Sequence, residues 1–576
     1  VESATEGGTG VAAPAPEVDF MKHSPPVPTS TQPVVVSARV SSATPLGAVS
    51  LLQRLDSTHI NAAWTTQAMN DGGTDGDVRA GDGIWSATVA ARANAAITQF
   101  YIKATAANGQ ENECPRQGAS RPGMWIVANT VPSVLPGTLI QRNIISVYYR
   151  NALNASTGFS AAYDWNHPRM SNYGFNSTMI FNETEVLYNC ELRRGGSPWT
   201  RTSANTLDRT RWKPPGDQLF RERTKSGVDN DSAGASRFHN RMVRHMLYLF
   251  GYPVPDAEFI QQIVNADSPR IGDEQEQTDS DFFDRAYADG SEGELFEIDD
   301  SWFMYDTNNM DDRLDAGSVT GRWELRDWNN STPATPSDES PIFFHGNWPV
   351  RFPEERYDYA ALSSMIKTAV NGNTTVSAAQ EVSYRERMDR VLDADRAALY
   401  AAVRGYVYAW DNFTFNRGKN SYFYRRPGDG RFEFHHWDSD LAFQDSNQGF
   451  LGTAGGIGWT NLTARPWFKQ KMNYYLSQLI DRYANTSSAR MNAWLAAMNY
   501  QSANTNGLAP FKTNGFSYPT WFNNRRTPAL NFITTTNYNR LFSISTAQGQ
   551  TVTTPLFTIA GAASTKVAYV DIPGHP

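Results

Sequence analysis

From Val34 onward the chain reads as short β-rich runs of apolar and β-branched residues broken by Gly, Asn and Asp, and from about Tyr357 onward as longer runs in which apolar positions recur every three or four residues. The first pattern is that of strands, the second that of a helix with a buried stripe. Val34–Val40, Ile84–Val89 and Phe100–Thr105 are expected strands, punctuated by Gly, Asn and Asp in the manner of a small β-sandwich. Further strands are expected at Leu139–Ile140, Ile144–Tyr148, Ser177–Phe181, Val186–Leu192, Phe259–Val264 and Glu294–Ile298. Among them, Phe238–Phe250 sets Met242, Val243, Met246, Leu247 and Phe250 at helical spacing and stops at Gly251 and Pro253. Two later helical runs follow, one on Tyr384, Met388, Val391, Leu392, Leu399, Val403 and Val407, the other on Met472, Tyr475, Leu476, Leu479, Ile480 and Tyr483.

Those two runs bracket the stretch that concentrates chemistry, Trp410–Gln444. Within it, Ser421–Tyr424 and Arg431–His435 are aromatic strand-like runs joined by Pro427-Gly428-Asp429-Gly430, a hairpin turn. Asp411 precedes the hairpin, and Asp438 and Asp440 close it. Residues i and i+2 of a strand share a face, so the last two carboxylates are expected to converge on one cation, and hard oxygen ligands suit Mg²⁺, Mn²⁺ or Ca²⁺. The competing reading of Trp437-Asp438-Ser439-Asp440 is an Asx turn that ends a strand. His435 and His436 face opposite ways in a strand and are read as structural. Upstream, Arg193-Arg194-Gly195-Gly196-Ser197 has the glycines and cations that suit phosphate, and equally reads as a basic turn on a solvated face.

Asp411, Asn420-Ser421-Tyr422 and Trp437-Asp438-Ser439-Asp440 together resemble the signature of the CotH-like kinases, first named from bacterial spore coats. The resemblance runs over residues 131–545. It implies an atypical protein-kinase fold that uses ATP with Mg²⁺ or Mn²⁺ to phosphorylate Ser or Thr on protein substrates. On that likeness Asp411 is the catalytic base, Asp438 the principal metal ligand beside Asp440, and Asn420 the matching amide. Asn416, five residues after Asp411, is the alternative amide by the spacing of ordinary kinase catalytic loops. Lys213 would hold phosphate together with Arg193 and Arg194, supported by Glu276. The family's Tyr after Gly272 is absent, so the supporting glutamate stays open between Glu274 and Glu276. Farther upstream, Met69–Gly73 through Ala80–Trp85 resembles a segment of the immunoglobulin-like modules of secreted bacterial proteins. There Asp71, Asp75, Asp77 and Asp82 are candidate Ca²⁺ ligands, against the plainer reading that Asp and Gly serve the turns.

Composition sets the bounds. At 576 residues the chain is long enough for three or four domains, and 40% apolar with 19% charged residues is globular. The expected class is α+β, a two-lobed kinase-like domain behind a β-sandwich, because β-rich sequence comes first and helical sequence later. The expected segments are a flexible linker (1–33), an immunoglobulin-like sandwich (34–130), a β-rich lobe (131–305), a mainly helical lobe with the metal site (306–545) and the start of a further β-rich module (546–576). A net charge of −8 argues against nucleic acid as partner. Two cysteines, Cys114 and Cys190, build neither a zinc site nor a disulfide framework. No apolar run reaches the roughly 18 residues of a membrane span. The opening VESATEGGTG lacks a signal-peptide pattern, so a secreted or cell-surface location implies a signal already removed. The loop Asn329–Pro341 is Ser/Thr/Pro-rich and expected to be exposed. Two other classes stay open: a catalytically silent member that serves as a surface adhesin or structural protein, and a glycan-acting surface enzyme.

Overall fold

The computed structural model describes residues 14–58, 63–133, 138–154, 172–196, 209–229, 236–298, 350–353, 358–370, 377–415, 420–452, 456–485, 487–497, 516–547, 549, 551, 553 and 559–567. The expected phosphoacceptor loop 329–341 and the alternative amide Asn416 lie outside these residues. The fold is a mixture of sheets and helices, of α+β class. It divides into two compact units. One is Val1–Asn230 with Glu258–Gln275, and the other is Asp231–Ala257 with Glu276–Pro576.

The first unit opens with β1 (Glu17–Ser24), β2 (Val34–Ser41), β3 (Leu46–Leu55), β4 (Thr65–Ala68), β5 (Ile84–Val89), β6 (Ile97–Ala106), β7 (Glu111–Cys114) and β8 (Gly123–Ile126). They form one sheet of order β1-β2-β5 and another of order β4-β3-β6-β7, with β8 also on β6. Val36, Ala38, Ala87, Leu51, Phe100, Ile102 and Trp125 share one core, so the alternating residues of both sheets close on each other. The first strand is a correction to the expected linker: Glu17–Ser24 pairs antiparallel with Val34–Ser41, and Met21 is buried in the core. Composition hid it, because only Met21 and His23 of that segment are buried.

The same unit continues with β9 (Leu139–Ile145), α1 (Val147–Asn154), β10 (Phe175–Phe181), β11 (Glu185–Arg194), β12 (Arg209–Lys213), β13 (Ser226–Asp229), β14 (Ala257–Val264) and β15 (Arg270–Glu276). The strands close into a barrel of order β10-β11-β12-β13-β15-β14-β9, with β14 parallel to β9. Closure leaves no sheet edge, and Phe181, Leu192, Trp212, Phe220, Val228 and Ile260 fill the interior. One expectation shifts here. The strand expected to reach Tyr148 ends at Ile145, and Val147 opens a helix whose first N–H is taken by the Asp56 carboxylate at 2.7 Å. The stretch after Gly272 that carries the candidates Glu274 and Glu276 lies in β15, with Asp273, Glu274 and Glu276 buried. Cys114 and Cys190 are free thiols, and burial pushes them up to about 11 and about 12.

The second unit contains α2 (Ser236–Tyr248), α3 (Ser280–Ala286), β16 (Glu294–Ile298), β17 (Val350–Phe352), α4 (Ala360–Val370), α5 (Ala378–Val391), α6 (Ala394–Tyr406), β18 (Ser421–Arg425), β19 (Phe432–His436), α7 (Gly456–Ala464), α8 (Pro466–Leu479), α9 (Ser488–Ala497) and α10 (Tyr518–Ile533). Its sheet has the order β17-β16-β18-β19. The division therefore departs from the boundary expected after residue 305. Glu294–Ile298 pairs with the hairpin strand Ser421–Arg425, and α2 anchors the turn after β19, so both belong with the later helices. α5 and α6, expected as one continuous run, are separated at Leu392–Asp393. There Asp393 caps α6 by accepting Arg396 N, and its own N–H bonds Phe432 O.

Candidate active site

The site is built on the open end of the β18–β19 hairpin. Its closed end is the turn 426–431, where Gly430 has φ +69°, a left-handed conformation that favours glycine. Arg426 and Arg431 both bond the Asp429 carboxylate there, which holds it down at about 2 against its burial. One face of the hairpin is apolar: Phe423 and Phe434 pair across the strands at 4.4 Å, and Phe413 lies 5.2 and 5.1 Å from them. The other face carries Glu433, fully buried, which accepts from Arg396 at 3.0 Å, Arg426 at 3.2 Å, His435 at 2.7 Å and the Tyr287 hydroxyl. Burial raises a carboxyl, but His435, Arg396 and Tyr287 outweigh it and hold Glu433 below its ordinary value. Since Arg426 also bonds Asp393 at 2.9 Å, this network fastens the hairpin to the N-terminus of α6.

At the other end α6 leads through Trp410 into Asp411, which is buried. Asn420, in left-handed conformation with φ 60°, turns its amide back and donates to the Asp411 carboxylate and to Asp411 O, both at 2.9 Å. Asn412 shapes the loop between them. Its amide nitrogen donates to Asn420 O at 3.0 Å and to Ser421 Oγ at 2.8 Å, while its oxygen accepts from Thr414 N at 3.0 Å. We expect Asn412→Ala to lower stability by about 3 kcal/mol, since several fully buried partners lose a bond worth about 1 kcal/mol each. Urea unfolding checks this, and an unchanged midpoint would remove Asn412 from the loop's support.

Trp437-Asp438-Ser439-Asp440 departs from the strand geometry expected of it. β19 ends at His436, and Asp438 has φ 36°. The carboxylates are therefore not set by strand alternation. The segment is the Asx turn weighed against it: Asp438 Oδ1 accepts Asp440 N at 3.1 Å. Residues far away in sequence hold this turn. Asn240 of α2 accepts Ser439 N and points its amide at Asp438 Oδ1, 3.5 Å away, and the His239 ring bonds Asp440 O at 3.1 Å. Arg404, in the last turn of α6, donates to Asp438 O at 3.0 Å and to Ser439 Oγ. The Ser439 hydroxyl is then free to donate to His436 Nε2 at 2.9 Å. That fits a neutral ring: burial, with Arg404 and Arg244 nearby, holds His436 well below its ordinary value.

Among the described residues, three acids gather their oxygens within 4.8 Å of one another at Asp71, Asp77 and Asp82, and Asp411, Asp438 and Asp440 are not such a set. The two cases differ in their surroundings. Asp71 accepts from Gly81 N, Asp82 N and Gly83 N, and Asp77 from Gly73 N and Arg79 N, so those carboxylates also close the turns. Asp438 and Asp440 are half-exposed. Asp438 and Asp440 are hard oxygen donors of the kind that suits Mg²⁺ or Mn²⁺, which binds through one or two acids with the remaining positions filled by water and substrate phosphates.

The basic candidates lie in the first unit. Lys213 ends β12 with its side chain half-exposed, and its cross-strand neighbour Glu191 is 3.9 Å away. Arg193 faces Arg211 across β11–β12, two positions along on the same side as Lys213. Arg194 alternates to the side of Leu192 and Trp212 and is buried, so the two neighbouring arginines do not act as a pair. The glycines in this patch make room for a cation. A Cβ on Gly227 would lie 2.4 Å from Arg211 Nη1, and one on Gly195 3.0 Å from it. Glu276, expected to support Lys213, is engaged by Arg285 and by Asp256 N, while Glu274 lies 3.7 Å from Arg223. Sequence reasoning passed over Asn240, His239, Arg404 and Asn412. Asn412 stands beside Asp411 and was legible as a turn-former; the others gave no local signal.

A family model described as CotH kinase protein matches residues 207–503, just over half of the chain. No curated protein matches.

Proposed function

The chain belongs to the CotH kinase protein family, and from that premise we propose that it is an ATP-dependent protein kinase that phosphorylates Ser or Thr on protein substrates. The observation that carries this reading is the buried Asp411 carboxylate held by the Asn420 amide at 2.9 Å, at the end of the hairpin that also bears Asp438. A carboxylate fixed in that way is suited to orient a substrate hydroxyl and accept its proton as the hydroxyl oxygen attacks the γ-phosphorus. Asp438 and Asp440, with Asn420, would hold Mg²⁺ or Mn²⁺. When bound, the metal would neutralise charge on the phosphate oxygens. On the family likeness, Lys213 and Arg193, with Arg211 beside them, would be the barrel's phosphate-binding cations. Glu276 is engaged by Arg285 and in this reading acts by shaping the barrel strand. The module at β1–β8 is read as immunoglobulin-like and the protein as secreted or displayed at the cell surface.

Calorimetry of the purified chain with ATP, with and without Mg²⁺ or Mn²⁺, tests the reading. Binding is expected only with the metal, and equal binding after chelation would remove Asp438 and Asp440 from a metal role. Intact-mass spectrometry after incubation with ATP and Mn²⁺, followed by peptide mapping, tests transfer itself and shows whether Ser331, Thr332, Thr335, Ser337 or Ser340 is a target. ATP bound without any phosphate transferred to protein would favour the silent, adhesive alternative.

A further inference from the structure

In the first unit a pocket of about 230 Å³ is lined by the end of β3, the turn 118–122, the start of α1 and the approach to β10. One wall is aromatic. Tyr149, Phe175 and Tyr173 follow one another with ring centroids 4.9 and 5.4 Å apart, and Tyr173 is 65% exposed. Large rings left this open at a pocket mouth offer flat apolar faces to a ligand. The other wall is polar, and most of it is already engaged. The Asp56 carboxylate accepts from Val147 N at 2.7 Å, from Ser146 Oγ at 2.8 Å and from Gln99 Nε2 at 2.8 Å, so it does not call for a cation. Arg54 lies over Trp64 at 4.2 Å and donates to Gln99 at 2.8 Å.

Arg121 is different. This half-buried guanidinium donates once, at 3.4 Å, to Cys190 O, and among the described residues no carboxylate pairs with it. A guanidinium taken partly out of water without a counter-ion is a site for an anion. Two arginines and one carboxylate give the lining a formal charge of +1, which matches a monoanion better than a phosphate dianion. The volume is below the roughly 300 Å³ at which drug-sized pockets begin, enough for one ring. An aryl carboxylate would stack on the aromatic wall but carries no hydroxyls for the polar atoms opposite. A pyranose places C–H faces on the rings and hydroxyls on the polar wall.

We propose that this pocket binds a uronic acid unit, its carboxylate on Arg121 and its ring against Tyr149, Phe175 and Tyr173. The unit can be a free sugar acid or the end residue of an acidic polysaccharide. The inference does not depend on the kinase reading, and its test uses no nucleotide. Saturation-transfer NMR on the full chain would compare D-glucuronate, D-galacturonate, trigalacturonate, D-glucose and benzoate. Transfer to the uronates, at least threefold above glucose and benzoate, is expected. Stronger transfer to trigalacturonate at its terminal ring would identify the polysaccharide source, and transfer to the monosaccharides alone the free acid. Tyr173→Ala, at an exposed position where folding is not at stake, and Arg121→Gln should each reduce the signal at least threefold with the melting curve unchanged. Equal transfer from glucose or benzoate, no transfer from any uronate, or full signal in both variants would overturn the proposal.

Discussion

Asp411→Ala is expected to lower phosphoryl transfer by about 10²–10⁴-fold while leaving ATP affinity within a few-fold of the parent, because a general base acts in the chemical step. Asp438→Ala should instead abolish metal-dependent nucleotide binding, because a ligand acts before chemistry. The structure sharpens the contrast. The Asp411 carboxylate is buried and bonded to Asn420, whereas Asp438 is half-exposed on the Asx turn. The two variants should therefore separate in calorimetry and in single-turnover transfer. If Asp411→Ala lost nucleotide affinity as severely as Asp438→Ala, the division of roles between the two acids would be wrong. Asn420→Ala provides a check on the loop itself: it should reduce transfer through a displaced Asp411, and a variant with parental turnover would mean that the 2.9 Å contact does not position the carboxylate.

The largest effect on stability is expected at Arg525. Its guanidinium, fully buried in α10, donates to Gly405 O at 2.7 Å, Tyr406 O at 2.9 Å, Ser446 O at 2.9 Å, Gly449 O at 3.0 Å and Gln448 O. The first two are the terminal carbonyls of α6, which have no partner within their own helix, and a cation suits that end of a helix dipole. The others fix the segment after the Asx turn. That segment presses so closely on α6 that a Cβ on Gly405 would stand 2.2 Å from Phe450 O. Burial draws Arg525 down to about 10, which still leaves it a cation at neutral pH. Arg525→Met fills similar space but removes the donor from these carbonyls, of which Gly405 O keeps Tyr408 N at 3.2 Å, for an expected loss of about 4 kcal/mol. Arg525→Lys should recover little, since one ammonium cannot reach a planar array of acceptors. Thermal melting followed by circular dichroism reads both, and a midpoint for Arg525→Met within a degree of the parent would show that the carbonyls find water instead.

Much of the second unit was legible because its signals are local. The hairpin turn, the aromatic alternation at 421–424 and 431–435, and the apolar spacing through α5, α6 and α8 all lie within a few residues of what they specify. Asp411 and Asn420 were named from a short motif, and the structure joins them directly. The geometry of Asp438 was misjudged for a physical reason: strand alternation holds only while the chain stays extended, and at φ 36° it does not. The fixing contacts were invisible from sequence. Asn240 meets Asp438 across 198 positions and Arg525 meets Tyr406 across 119, and neither residue has a periodicity or a neighbour that announces its partner.

The amino-acid sequence alone determined the α+β class, the order of β-rich and helical parts, the hairpin with its acids and the family likeness, since each rests on period, turn chemistry or a motif. Tertiary structure decided the rest. It drew Glu17–Ser24 into a sheet, closed β9–β15 into a barrel, buried the acidic run at Arg270–Glu276 as one of its strands, separated Arg193 from Arg194, and gave Glu276 to Arg285. These outcomes depend on which distant surface offers a strand edge, a carbonyl or a counter-charge, and that is fixed only when the chain has packed.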